Sequence, residues 1–183
     1  MKMVDIFATG VSQDILAVLA NRDQRAALQA QLLQQYPTAT VVAIKLNIPG
    51  PIKNNGPLKQ LFQAGLSQFS QTLASQPLEK IAWDKPTGCE TFLVLATPYL
   101  AVKQLAVKFE DEFTLGRLFD IDVLSATFGT RAISRSDLGA ASRRCFICGR
   151  PAKDCARSRR HAVPELQAKI SQMYTNYFES TSA

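Results

Sequence analysis

TATVVAIKLNIPGPIKNNGPLKQLFQAGLSQFSQTL, residues 38 to 73, holds a strand, a stiff loop and a helix in succession. Thr38 to Leu46 is rich in β-branched residues and alternates, with Val42, Ile44 and Leu46 on one face and Ala43, Lys45 and Asn47 on the other. The prolines and Gly50 of NIPGPIKNNGP forbid regular structure, and Pro57 then opens a helix with Leu58, Leu61, Phe62, Leu66, Phe69 and Leu73 on one side. Leu78 to Trp83 and Thr91 to Thr97 read as a hairpin joined by DKPTGC. Val102, Leu105, Ala106 and Phe109 mark a second amphipathic helix, and Arg117 to Leu124 reads as a strand, continued by Arg131 to Ser134 past Gly129. From Thr38 the order is β, α, β, β, α, β, which predicts an α+β, ferredoxin-like sandwich whose last core strand lies antiparallel beside its first.

Around this core, residues 38–134, the sequence predicts three additions. A helical lead-in over 11–36, one broken helix or two short ones, carries Leu16, Leu19, Leu28, Leu32 and Leu33 at helical spacing. A loop rich in Cys, His and Arg covers 143–161, and a C-terminal helix covers 164–178. With 183 residues and 46% apolar content, one domain over 1–183 is expected. Net charge +6 and a pI near 9.3 favour an anionic partner. Asp5 and Asp14 break up the apolar positions of the first 20 residues, which do not read as a signal peptide, and no apolar run is long enough to span a membrane. A cytoplasmic protein with reduced cysteines is the expectation.

Two stretches carry chemistry. In LGRLFDIDVL, residues 115 to 124, alternation puts Phe119, Ile121 and Val123 on one face and Asp120 and Asp122 together on the other. Paired carboxylates repel unless neutralised, either by lysine or arginine or by a hard divalent cation such as Mg2+ or Mn2+. With the expected strand order, Arg117 and the dyad come near the end where NIPGPIKNNGP leaves the sheet, so that Lys45, Asn47 and Lys53 approach them. That loop runs into a helix N-terminus, which attracts anions.

The other stretch, RRCFICGRPAKDCARSRRH at 143 to 161, gathers three of the four cysteines, the only histidine and seven of the 21 lysines and arginines. Cys145, Cys148, Cys155 and His161 suit a tetrahedral structural zinc site. The alternatives are reduced buried thiols with a histidine that hydrogen-bonds, contacts phosphate or serves as a general base. Arg143, Arg144, Arg157, Arg159 and Arg160 suit bidentate recognition of phosphate. Cys89, read as a turn residue, is given no role.

IPGPIK at 48 to 53, LGRLFDIDVL, ISRSDLG at 133 to 139 and the Cys/His/Arg stretch together resemble the apo-citrate lyase phosphoribosyl-dephospho-CoA transferases, with a looser likeness over NRDQRAALQAQLL at 21 to 33. The chain departs from that pattern at Phe119, where Trp is more usual, and at Ala140, Ala141 and Ser142, which replace Leu-Pro-Pro. The resemblance implies a nucleotidyltransferase that moves the phosphoribosyl-dephospho-CoA group from triphosphoribosyl-dephospho-CoA to a serine of the citrate lyase acyl carrier subunit, releasing pyrophosphate. It further implies Mg2+ on Asp120 and Asp122, one of which also accepts the serine proton. Arg117 and Lys53 would lie at the triphosphate, the five arginines of the loop would hold phosphates, and the Cys/His set would shape the loop. Two other readings stand beside it. One is the analogous transferase for the malonate decarboxylase carrier. The other, ranked well below, is a zinc-containing RNA-binding module, for which the aromatic platform of a single-strand reader is missing, since only Phe146 lies within the basic run.

Overall fold

The helices start where the sequence supplies caps. In the computed structural model, which describes residues 4–129 and 131–180, Asp14 Oδ1 accepts the Ala17 N–H at 2.7 Å and opens α1 (Ile15–Gln35). Asn55 does the same for α2 (Gly56–Ser70) through the Leu58 N–H at 2.9 Å, with Pro57 in the first turn. Strands β1 (Thr40–Leu46), β2 (Glu79–Lys85), β3 (Gly88–Leu95) and β4 (Phe119–Ser125) form one sheet in the order β2-β3-β1-β4, every neighbouring pair antiparallel. Helices α3 (Tyr99–Glu112), α4 (Ala152–Arg157) and α5 (Val163–Ser180) complete an α+β architecture of five α-helices and four strands among the described residues.

Both faces of the sheet are covered, so β1 is apolar on each. Val42 and Ile44 join Phe62, Phe69, Phe109 and Phe119 in the larger core, and Val41 and Ala43 join Phe92 and Leu32 in the smaller one under α1. Gly65 lets α2 come down on β4: a Cβ there would stand 2.1 Å from Phe119 Cζ. β4 is an edge strand, and α3 satisfies its outward backbone at Ile121. Glu110, fully buried, accepts the Ile121 N–H at 3.2 Å, and buried Lys103 donates to the Ile121 carbonyl at 3.3 Å.

Several expectations are corrected. The lead-in is one unbroken helix, and only its start stands off the sheet: Leu16 is 72% exposed, whereas Asn21 is buried on Glu90 of β3 and Leu32 is buried further along. The hairpin turn is Pro86-Thr87 alone, which places Cys89 in β3 rather than in the turn. Arg117 and Leu118 belong to a 3-10 turn, Gly116–Leu118, where the Leu118 N–H bonds back to Leu115, so the strand starts at Phe119. Residues 131–134 form no strand, because the Ile133 N–H to Val123 carbonyl bond at 2.8 Å extends into no ladder. α4 lies inside the Cys/His/Arg loop, unforeseen by any apolar stripe. The outermost residues of the expected 1–183 domain, and Thr130, lie outside the described residues. No helix among the described residues is long and apolar enough to cross a membrane.

Candidate active site and metal centre

The register of β1 against β4 builds the first site. Lys45 stands directly opposite Asp120, and Ala43 opposite Asp122, so the Lys45 side chain reaches both carboxylates. Lys45 Nζ is 2.7 Å from Oδ2 of Asp120 and 2.7 Å from Oδ2 of Asp122. Arg143 approaches from the Cys/His/Arg loop: Nη2 donates to Asp120 Oδ1 at 2.8 Å and to Glu110 Oε1 at 2.6 Å, and Nε donates to Glu110 Oε2 at 3.1 Å. Arg135 Nε lies 3.7 Å from the same Glu110. Burial alone would push the Asp120 carboxyl up, but Lys45 and Arg143 outweigh it and bring it down to about 2. Burial likewise works against the Lys45 ammonium, but Asp122 and Asp120 overcome it and raise its pKa. Burial lowers Lys103, with Glu110 and Asp122 opposing.

The dyad opens into a cavity of about 720 Å³, which also takes in Lys103, Arg117, Ser134, Arg135 and Arg157. The donor set suits a hard cation. Two carboxylates project side by side, the Lys45 ammonium occupies the position of positive charge between them, and Asp122 Oδ1 accepts from no donor among the described residues.

The second site is local to the loop. Cys145-Phe-Ile-Cys148 turns on Gly149, whose φ of 69° suits glycine, with the Gly149 N–H bonded to the Cys145 carbonyl at 2.9 Å and the Cys145 N–H to the Arg150 carbonyl at 2.7 Å. α4 brings up Cys155, and the residues before α5 bring up His161. One ligand atom from each of the four lies within 4.8 Å of the others, with Cys148 Sγ 3.4 Å from Cys155 Sγ. Around zinc, with Zn–S of about 2.3 Å, ligand atoms stand roughly 3.5–3.8 Å apart. His161 Nε2 is buried without a hydrogen bond, while Nδ1 is 3.2 Å from Glu165 Oε1, the carboxylate support usual behind a metal-bound imidazole. A backbone N–H from Arg150, then the imidazole and the Cys155 thiol, bring Cys148 down to about 6. Burial, then its cysteine neighbours, pushes Cys155 up to about 11. The cluster is therefore able to bind a metal ion.

The structure gathers most of the residues singled out in the sequence, though not all. Asp120, Asp122, Arg117, Arg143 and Arg157 line the dyad cavity; Arg117, Arg159, Cys145, Cys155 and His161 line an adjoining one. Arg144 is spent on its own loop, donating to the Gly149 carbonyl at 3.0 Å, and Arg160 lines neither cavity. Lys53 also lies apart: its ammonium donates to the Ile48 carbonyl at 2.6 Å. The α2 N-terminus, capped by Asn55, faces neither cavity. Lys103, Glu110 and Arg135 were missed. Lys103 and Glu110 are seven apart and flank the stripe of Val102, Ala106 and Phe109, a spacing that marks them as facing inward.

Residues 13–177 match the family model described as apo-citrate lyase phosphoribosyl-dephospho-CoA transferase. The probable transferase of that name from Streptococcus pyogenes is 35% identical over 179 residues, covering 95% of this chain and 92% of the relative. Its counterpart from Vibrio cholerae is 32% identical over 164 residues, covering 87% of this chain and 90% of the relative. Protein CitXG of Leuconostoc mesenteroides subsp. cremoris is 35% identical over 97% of this chain, which spans 38% of that longer protein. The motifs that built the dyad and the Cys/His loop lie inside the matched span, and the chain belongs to the apo-citrate lyase phosphoribosyl-dephospho-CoA transferase family.

Proposed function

We propose that this transferase attaches the phosphoribosyl-dephospho-CoA group of triphosphoribosyl-dephospho-CoA to a serine of the citrate lyase acyl carrier subunit, using the face of β4 that carries Asp120 and Asp122. The serine oxygen forms a bond to the α-phosphorus, the bond from that phosphorus to the pyrophosphate oxygen breaks, and the serine proton passes to a carboxylate. Asp122, with one oxygen unengaged, is that acceptor. Asp120, held near 2 by Lys45 and Arg143, stays anionic throughout. Asp120 and Asp122 would hold Mg2+, which when bound supplies positive charge to the phosphoryl oxygens. Lys103, Arg117 and Arg157 line the same cavity and, with Lys45 held against the two carboxylates, place further positive charge where the pyrophosphate leaves.

The single observation that carries this reading is the dyad itself: two carboxylates on one strand face, bracketed by lysine and arginine, at the mouth of a basic cavity. The strand order and pairing support the ferredoxin-like reading of the core. The geometry of the four ligand atoms supports structural zinc on Cys145, Cys148, Cys155 and His161, holding the loop that delivers Arg143. His161 then serves as a ligand rather than a base, since it lines the adjoining cavity and not the dyad's.

The test is the intact mass of the apo carrier subunit after incubation with this protein, Mg2+ and the triphosphate donor. A gain of one phosphoribosyl-dephospho-CoA group is expected, blocked when magnesium is withheld and lost with Asp122→Asn. An unmodified citrate lyase carrier beside a modified malonate decarboxylase carrier would move the assignment to that substrate, and a near-normal rate in Asp122→Asn would remove the dyad from the mechanism.

A further inference from the structure

Beside the dyad cavity lies a second one of about 510 Å³, walled by Phe146, Val163 and Leu166 and reached by Arg159. Its size falls in the range of small-molecule sites. The two cavities share Asn47, Arg117, Ala152 and Ala156, so one ligand can occupy both.

Two features single out this cavity. The first is Arg159, whose φ of 47° is the only positive value at a non-glycine residue among those described. It follows α4 in a Schellman closure: the Arg159 N–H bonds to the Ala156 carbonyl at 3.3 Å and the Arg160 N–H to the Cys155 carbonyl at 3.1 Å. Glycine suits that position without strain, whereas an L side chain is strained there. The guanidinium accepted at that position lines the cavity. The second is Arg117 Nη1, buried and without an acceptor, on a side chain that lines both cavities.

The chemistry of the donor says which part belongs here. Reading outward from the reacting phosphorus, the phosphoribose comes first, then the adenosine, then the diphosphate and the pantetheine arm. With the phosphorus at the dyad, the unit one ribose away is a planar purine on a second ribose, and the neighbouring cavity offers an aromatic ring, aliphatic walls and two guanidinium groups. We propose that this cavity is the adenosine subsite of the donor, with Phe146 and Arg159 against the purine and Arg117 bridging to the phosphoribose. The inference takes its ligand from the dyad reading and is tested apart from it.

Calorimetric titration of the protein as purified, without added Mg2+, uses three probes: AMP, dephospho-CoA and 4′-phosphopantetheine. AMP and dephospho-CoA should bind and phosphopantetheine should not. Arg159→Gly should weaken AMP about tenfold, equivalent to about 1.4 kcal/mol, without lowering the melting temperature. Leu166→Trp, which fills the cavity, should abolish AMP binding. Asp122→Asn should leave AMP binding intact while abolishing transfer, so failure of the dyad reading shows in the transfer assay and failure of the subsite shows in the titration. Absence of AMP binding, unchanged AMP affinity in Arg159→Gly and Leu166→Trp, or binding of phosphopantetheine in place of AMP would overturn the proposal.

Discussion

Lys45 bridges Asp120 and Asp122 because three residues of two antiparallel strands share one face and one register. Alternation alone exposed the aspartate pair in the sequence, and once β4 is set beside β1, Lys45 follows. The inward-facing Lys103 and Glu110 did not follow, because a search for apolar periodicity passes over charges at the margin of the stripe, although there they satisfy the backbone of an edge strand. Lys53 was placed by closeness in sequence to a loop whose own carbonyl turns out to hold it. The dyad also makes a claim about stability. Asp120 titrates near 2 when folded and near 3.9 when unfolded, so its contribution is fully present above about pH 4 and is lost as pH falls through 2. Its carboxyl is 31% exposed, which after allowance for solvent screening leaves on the order of 1–2 kcal/mol. Urea unfolding should therefore show Asp120→Asn less stable than wild type by that amount at pH 6, with the gap shrinking by pH 2.5. A gap that stays constant would mean that shape rather than charge makes the contribution.

At the scale of elements, the strands and the two long helices of the core were legible because the period-2 patterns run for seven or eight residues and the period-3.6 patterns for 14 or 15. Short elements were not. α4 has six residues with no apolar stripe, and the 3-10 turn at Gly116–Leu118 depends on a close approach to α3, where a Cβ on Gly116 would stand 2.3 Å from the Phe109 carbonyl oxygen. A similar approach positions β4 against α2, since Gly65 leaves no room for a methyl beside Phe119. Gly65→Ala should destabilise by about 1–3 kcal/mol, the usual range for overpacking, and Phe119→Leu should relieve part of that loss. Chemical denaturation of the two single variants and the double variant decides it: strict additivity would show that the ring and the glycine do not oppose each other. The Cys/His loop makes a different claim. Protein purified without added zinc should hold close to one equivalent by elemental analysis. Cys148→Ser should lose it, with a lower melting temperature and slower transfer, because Arg143 reaches the dyad from that loop. A metal-free sample with full activity and unchanged melting would leave the thiols as packing alone.

At the scale of the whole molecule, nothing in the spacing between Gly129 and Arg143 says on which side of the sheet the basic loop will land. The ion pairs of Arg143 with buried Glu110 and with Asp120 fix it, and they do so by joining residues 33 and 23 positions apart in sequence. That return brings the two stretches singled out in the sequence, 115–124 and 143–161, to one side, where the two cavities meet at Arg117. An excess of +6 charges, with arginines from 117 to 159 facing those cavities, produces a field that acts on any anionic partner before contact. Such a field governs encounter more than chemistry, because the dyad and its paired cations are partly buried and little screened by salt, whereas approach across solvent is screened over about 8–10 Å. Raising salt from about 50 to about 300 mM should therefore increase KM for the carrier subunit several-fold while leaving kcat within about a factor of two, as measured by initial rates of carrier modification at saturating donor. Equal falls in kcat and in kcat/KM would place the salt-sensitive contact at the reacting phosphate, and the basic surface would then act on the donor rather than on the carrier.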